Sequence, residues 1–341
     1  MSRFRLAELE AAAAVVHETL APTPALAWPL LAARCGAEVV VKHESHLPIG
    51  SFKLRGGLVY ARELAAREPG VRTLVAATRG NHGQSVAFAA RRHGLAARIV
   101  VPHGNSADKN AAMRAFGATL VEHGRDFQAA YEHARELARA PATHFVPSFD
   151  WTLVRGVASC ALELFRQAGA LDLLYVPIGL GSGVCGALAA RDALGLHTRV
   201  VGVVAEQAPT YALSFARGEP VPTDSAETIA DGLAVRVPDA EALAAMRAGL
   251  ERVVAVTEAE IRAAMRHYFT DAHHVAEGAA AAALAAVLRE REAVRGRRVG
   301  VVLTGCNVDA ALYADVLRTA APDGRADTGV PALAAQGRRG T

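Results

Sequence analysis

Short apolar runs alternate with longer alanine-rich stretches along most of this chain. The runs fall at 38–42, 73–77, 97–101, 119–121, 173–177, 200–204 and 299–303. Each carries apolar residues in succession rather than every second position. That is the pattern of strands buried on both faces. The stretches at 85–92, 107–116, 127–138, 184–194 and 279–291 are helical by composition. Repeated strand–helix alternation predicts an α/β protein with parallel sheets. No repeat of fixed period is present. From Ala320 onward the chain turns to Gly, Arg, Ala and Asp, which reads as a flexible tail over 320–341.

Composition narrows the function classes. At 341 residues the chain is long enough for large cores and two domains. Hydrophobic residues make up 52% and charged residues 21%, as in an ordinary globular enzyme. The net charge is only +3 and the basic residues are dispersed, so no nucleic-acid surface is expected. No apolar run reaches the roughly 18 residues that span a bilayer, so no membrane partner is expected. The first residues lack the apolar core of a signal peptide, which places the protein in the cytoplasm. Cys35, Cys160, Cys185 and Cys306 are widely spaced with no CxxC pair. They read as buried thiols rather than a disulfide framework or zinc site.

Four segments carry candidate chemistry. Ser51-Phe52-Lys53-Leu54-Arg55-Gly56 sets a lysine beside an aromatic ring and a small hydroxyl, on a loop entered through Leu47-Pro48-Ile49-Gly50. A lone lysine is usually a surface charge. Here Phe52 can pack on a planar ring, and Gly50 and Gly56 let the backbone approach a ligand. Burial against apolar groups would leave the amine partly neutral and nucleophilic. Gly179-Leu180-Gly181-Ser182-Gly183 lies between a strand and a helix starting near Val184. Free N–H groups at a helix N-terminus bind phosphate. The Gly-x-Gly-x-Gly spacing is neither a dinucleotide fingerprint nor a P-loop, and it suits a single phosphate. Many such turns serve only packing.

Thr78-Arg79-Gly80-Asn81-His82-Gly83-Gln84 again joins a strand to a helix. It can face a substrate carboxylate, and Asn81 can donate to a phenolate-like oxygen. A plain helix cap is the other reading. Thr304-Gly305-Cys306-Asn307 follows an apolar strand, where α/β proteins place ligands, or is simply a strand-ending turn. Together these segments supply an amine for a Schiff base, a polar loop and a phosphate cradle. A protein that holds pyridoxal 5′-phosphate (PLP) needs those parts.

As a set, the segments resemble the PLP-dependent serine/threonine dehydratase family, of tryptophan-synthase-like fold type II. The likeness covers about residues 20 to 318 in the same order. It adds Ile229-Ala230-Asp231-Gly232-Leu233-Ala234-Val235, Glu277-Gly278-Ala279 and Asn307-Val308-Asp309 to the segments above. The resemblance implies two open twisted α/β domains. Residues 1–46 and 145–319 would form the large PLP-binding domain and 47–144 the small one. It implies that Lys53 forms the Schiff base and that Phe52 packs on the cofactor. Asn81 would bond the cofactor's ring hydroxyl oxygen. Gly179, Gly181, Ser182 and Gly183 would hold the phosphate, and Thr304 would meet the pyridine nitrogen. Ser51, Thr78, Arg79, Gly80 and His82 would contact the amino-acid substrate. A hydroxyl at the pyridine nitrogen leaves the ring unprotonated and a weaker electron sink, which favours prompt β-elimination over transamination. The implied reaction is dehydration and deamination of a β-hydroxy-α-amino acid (threonine, serine or a β-aryl serine such as phenylserine) to a 2-oxo acid and ammonia. It belongs to amino-acid catabolism, and a homodimer is implied. A β-replacement enzyme, another ammonia-lyase and a non-catalytic amino-acid binder are the competing readings.

Three positions depart from the family. Arg79 stands where a second serine is usual. Arginine stays protonated and is a poor base, so racemisation is not expected. Arg79 either binds an anion or points away. Glu206 is followed by Ala212 where metal-binding relatives have an aspartate, so no metal is expected there. Gly156-Val157-Ala158-Ser159 replaces Gly-Gln-Gly-Thr, which with Arg79 leads us to expect a non-standard substrate. The chain ends without an appended regulatory domain, so effector control is not expected.

Overall fold

A computed structural model describes residues 3–319 of the chain. The expected tail at 320–341 lies outside the described residues. Ten strands form two sheets among them. They are β1 (Ala25–Ala27), β2 (Glu38–His43), β3 (Thr73–Ala77), β4 (Ala96–Val101), β5 (Ala118–Glu122), β6 (Thr143–Phe145), β7 (Leu173–Pro177), β8 (Arg199–Ala205), β9 (Arg252–Val256) and β10 (Arg298–Leu303). The larger sheet runs β1-β2-β10-β7-β8-β9 and the smaller β5-β4-β3-β6. Every pairing is parallel except β1 with β2. In the middle of the larger sheet Val301 sits between Val41 and Tyr175.

The apolar runs read from the sequence are the interior strands and β5. The strands not read, β1, β6 and β9, are all sheet edges. Their residues are mostly half-exposed. An edge strand is less covered, so it does not need an unbroken apolar run.

Helices cover both faces of the larger sheet. Trp151–Ala168 and Ser182–Ala193 pack on one side with Val176, Val200 and Val204. Glu258–Ala272 and Gly278–Arg289 pack on the other with Val41, Val203 and Val301. Residues 278–287 are all buried. A helix that is apolar on every side belongs inside a core, and its alanines let it lie close to the strands.

Lys53–Arg67 packs against Trp151–Ala168 at two glycines. A Cβ on Gly56 would come 2.8 Å from the Leu153 carbonyl, and one on Gly156 2.5 Å from the Arg55 carbonyl. These positions therefore require glycine. Residues that follow β2, β3, β7 and β10 line one cleft beyond the strands' carboxyl ends, the usual place for an α/β ligand site.

Candidate active site

Lys53 is the first residue of the helix Lys53–Arg67, not part of the preceding loop as the sequence suggested. Its ammonium nitrogen stands 5.0 Å from the centroid of the Phe52 ring. Burial pushes its pKa down to about 8, against the opposing pull of the Glu277 carboxylate. Near neutral pH a fraction of the amine is thus neutral and can act as a nucleophile or base. Lys53 keeps partial exposure into a cavity of about 130 Å³.

The glycine-rich segment follows β7. Gly181 caps the helix Ser182–Ala193 with a φ of 108°, and no side chain caps that end. The helix begins at Ser182, two residues earlier than its composition indicated. Its first N–H groups lack helical acceptors and suit an anion. A Cβ placed on Gly183 would touch the Phe52 ring at 3.6 Å. The lysine, the ring and the uncapped helix end are therefore neighbours. Gly179 faces the Gly232 carbonyl, which a Cβ would approach to 2.3 Å.

Ser51 and Thr304 meet where the Lys53 segment joins β10. Ser51 pairs with Gly305 in an isolated bridge, and Phe52 N donates to the Thr304 carbonyl at 3.0 Å. Both side chains are buried, and the Ser51 hydroxyl has no partner. An orphaned buried hydroxyl beside the lysine fits a site built for a polar ligand.

The loop after β3 supplies the opposite wall. Thr78 Oγ1 accepts from Gly80 N at 2.9 Å, which sets the turn into the helix Asn81–Arg92. Asn81 donates to Glu277 at 2.8 and 3.1 Å and accepts from Asn307 at 2.7 Å. His82 is buried, and burial, then Lys53, pushes its pKa down to about 4. It is neutral at pH 7. Arg79 does not point away from the site. It lines the cavity and lies 3.4 Å from Asp231, which also accepts from Lys109 at 2.5 Å.

Lys53, Thr78, Arg79, Gly80, Asn81 and His82 line the cavity together. Ser51, Phe52, Gly179, Gly181, Ser182, Gly183 and Thr304 are not on its wall, although Leu180 is. The wall also holds Lys109, Asp231, Glu277 and Asn307, to which the sequence assigned no site role. Lys109 carried no local signal, being one lysine on an amphipathic helix. The other three stood in quoted motifs but had no role without knowing what they face. Glu277 is buried, and burial raises its pKa, opposed by Lys109 and the Asn81 hydrogen bond.

Beneath the site lies a buried charge cluster. Arg55 donates to Glu44 at 2.6 and 2.9 Å and to Glu163 at 2.6 and 2.8 Å. Lys42 donates to Glu163 at 2.6 Å. Ser159 accepts from Arg55 at 3.0 Å and donates to the Gly156 carbonyl. The departing segment Gly156–Ser159 is thus explained by this cluster and the helix crossing. It does not line the cavity, so it says nothing about the substrate.

The parts fit PLP. A lysine with a lowered pKa, an uncapped helix end and an unpartnered hydroxyl are what an amine-linked phosphate cofactor requires. The family described as pyridoxal-phosphate dependent enzyme matches residues 16–305. The L-threonine ammonia-lyase of Thermotoga maritima is 34% identical over 86% of this chain and 72% of that protein. The L-threo-3-hydroxyaspartate ammonia-lyase of a Pseudomonas species is 34% identical over 87% of this chain and 93% of that protein. The chain spans only 58% of the biosynthetic L-threonine dehydratase IlvA of Escherichia coli, at 33% identity. The solved threonine deaminase of T.th. superposes with a TM-score of 0.83 at 31% identity, over 90% of this chain and 99% of that one.

Proposed function

The chain belongs to the pyridoxal-phosphate-dependent enzymes, and on that premise we propose that it converts a β-hydroxy-α-amino acid to a 2-oxo acid and ammonia, the water lost in the elimination being returned in the hydrolysis. The observation that carries this reading is the contact of Lys53, Phe52 and Gly183 at the uncapped end of the helix Ser182–Ala193. Bound there, PLP supplies an aldehyde for the substrate amine and a conjugated ring that takes up the electron pair released at Cα. Lys53 would be its covalent anchor, and Phe52 would pack on its ring. Gly179, Gly181, Ser182 and Gly183 would hold its phosphate, Asn81 would meet its ring hydroxyl oxygen, and Thr304 its pyridine nitrogen.

The remaining steps belong to the chain's own side chains. Lys53 would take the Cα proton, and its pKa of about 8 suits proton exchange near neutral pH. Ser51, Thr78, Gly80 and the neutral His82 orient the substrate through hydrogen bonds. Arg79 and Lys109, both on the cavity wall, favour an anionic group there. Loss of the Cα proton and the β-hydroxyl gives water and an enamine, which hydrolyses to the 2-oxo acid and ammonia.

We place residues 1–46 and 145–319 in a large domain, 47–144 in a small one, and the working enzyme in a cytoplasmic homodimer acting in amino-acid catabolism. Among the described residues no helix is long and apolar enough to cross a membrane. Leu30 and Phe269 are exposed on packed neighbouring helices, a surface that suits a second copy.

The test is a 2-oxo-acid assay across serine, threonine, their stereoisomers, phenylserine and 3-hydroxyaspartate, with Lys53→Ala as the control. Ammonia and 2-oxo acid should form in equal amounts from at least one substrate. Lys53→Ala should lose both the product and the cofactor's visible band. Wild-type turnover by that variant without added amine would show that Lys53 is not the anchor.

A further inference from the structure

Three histidines converge outside the cavity. His43 ends β2, His46 closes the 3₁₀ turn that follows, and His274 lies just past the helix Glu258–Ala272. One ligand atom from each ring lies within 4.8 Å of the others. The ring centroids are 4.4 Å apart for His43 and His274, 5.2 Å for His46 and His274, and 5.3 Å for His43 and His46. No acidic side chain belongs to the group. The cluster is therefore neither an ion-pair network nor the Glu206 position considered above.

His43 supplies the second observation. It is fully buried, yet its Nδ1 has no partner. Its other nitrogen, Nε2, accepts from Trp28 Nε1 at 3.1 Å. A buried polar atom without a partner is costly and calls for an explanation. Burial, followed by His274 and His46, pushes the His43 pKa down to about 3, and burial also lowers that of His274. Those two rings are neutral at pH 7 and have lone pairs to give.

We propose that His43, His46 and His274 form a site for a divalent transition-metal ion of the zinc class, with its fourth position open to solvent. Imidazole nitrogens are donors of intermediate softness, suited to zinc, nickel or copper and poorly suited to magnesium or calcium. The exposed His46 leaves the ion an entry path. Coordination through His43 Nδ1 shifts that ring's proton to Nε2, with no net proton released. The Trp28 N–H then loses its acceptor and must turn away. The ion ties the segment leading into Lys53 to the segment leading into Glu277. It is a brace between two walls of the site, and its place does not depend on which substrate the enzyme takes.

The experiment titrates zinc chloride into the PLP-loaded full-length enzyme by calorimetry, beside His46→Ala and His274→Ala. Both substitutions are at accessible positions and should fold. The wild type should bind one equivalent that each variant binds at least tenfold more weakly. Zinc should raise the melting temperature of the wild type but not of the variants. In a Trp151→Phe background, which leaves Trp28 as the sole tryptophan, zinc should change the emission. Cobalt(II) in place of zinc should give the visible bands of a four-coordinate nitrogen site. If the wild type and both variants bind zinc alike, or the wild type binds none, the site does not exist. Neither result touches the lyase reading, which the 2-oxo-acid assay tests separately.

Discussion

Replacing Glu163 by Gln should destabilise the enzyme by about 3–5 kcal/mol, because it leaves a net positive charge in the buried cluster under the active site. The cluster balances two cations, Lys42 and Arg55, against two carboxylates, Glu44 and Glu163. Both cations are wholly buried. Glu163 also accepts from Thr23 N at 3.1 Å and pairs with His17 at 2.8 Å. The amide cannot serve so many donors with one oxygen. A second route gives a similar figure. Burial works to raise the Glu163 pKa but is outweighed by Arg55 and Lys42, so it falls from the ordinary 4.5 to about 2. That fall is worth about 3 kcal/mol. A carboxyl whose folded-state pKa is depressed adds stability that is fully present above its unfolded value. The contribution fades as pH drops from about 4.5 through about 2. Urea unfolding from pH 7 to pH 3, with saturating cofactor throughout, is the assay. The wild-type advantage should be largest at pH 7 and shrink in acid. A loss below about 1 kcal/mol at pH 7, or parallel acid profiles, would refute the reasoning.

Arg79→Ser should raise KM about tenfold or more through loss of a charge-assisted bond worth about 1.5–3 kcal/mol. Chiral chromatography of recovered substrate should show slow epimerisation in that variant and none in the wild type, and unchanged kinetics would show that Arg79 does not touch the substrate. Thr304→Asp should protonate the pyridine nitrogen, lower the elimination rate and add a longer-wavelength species during turnover; an unaltered spectrum and rate would remove Thr304 from the ring. Gly179→Ala puts a methyl 2.3 Å from the Gly232 carbonyl, so the loop must shift at a cost of about 1–3 kcal/mol. Cofactor titration and thermal melting should both register it.

Legibility in the sequence mostly followed burial, edge strand β5 being read although only Ala118 of it is buried. The strand at 173–177 was readable because it is enclosed on every side, with all five residues buried. Strand β6, with three half-buried residues at an edge, left no such mark. The helix Lys53–Arg67 escaped notice for another reason. Lys53, Arg55, Gly56 and Gly57 open it with charge and glycine, which reads as a loop. Only the charge cluster and the crossing at Gly156 explain how that sequence folds as a helix. In the site, chemistry on one segment was legible, as with Lys53 and the glycine turn. Partnerships between distant segments were not. Nothing local to Asn81 points to Glu277, or to Lys109 its shared contact with Arg79 on Asp231.

The rim contacts between the smaller-sheet and larger-sheet segments differ in kind from the helix crossing below. Arg79 with Asp231 and Arg236 with Asp126 are ion pairs about a third exposed. Such pairs are worth roughly 0–1 kcal/mol each and weaken with salt. The crossing at Gly56 and Gly156 is backbone against backbone and has no slack. The backbone crossing is therefore stiff, whereas these two rim ion pairs are open to competition from ions in solution. Raising the ionic strength weakens those two rim pairs and leaves the glycine crossing untouched, so salt acts on the entrance of the cleft and not on its base.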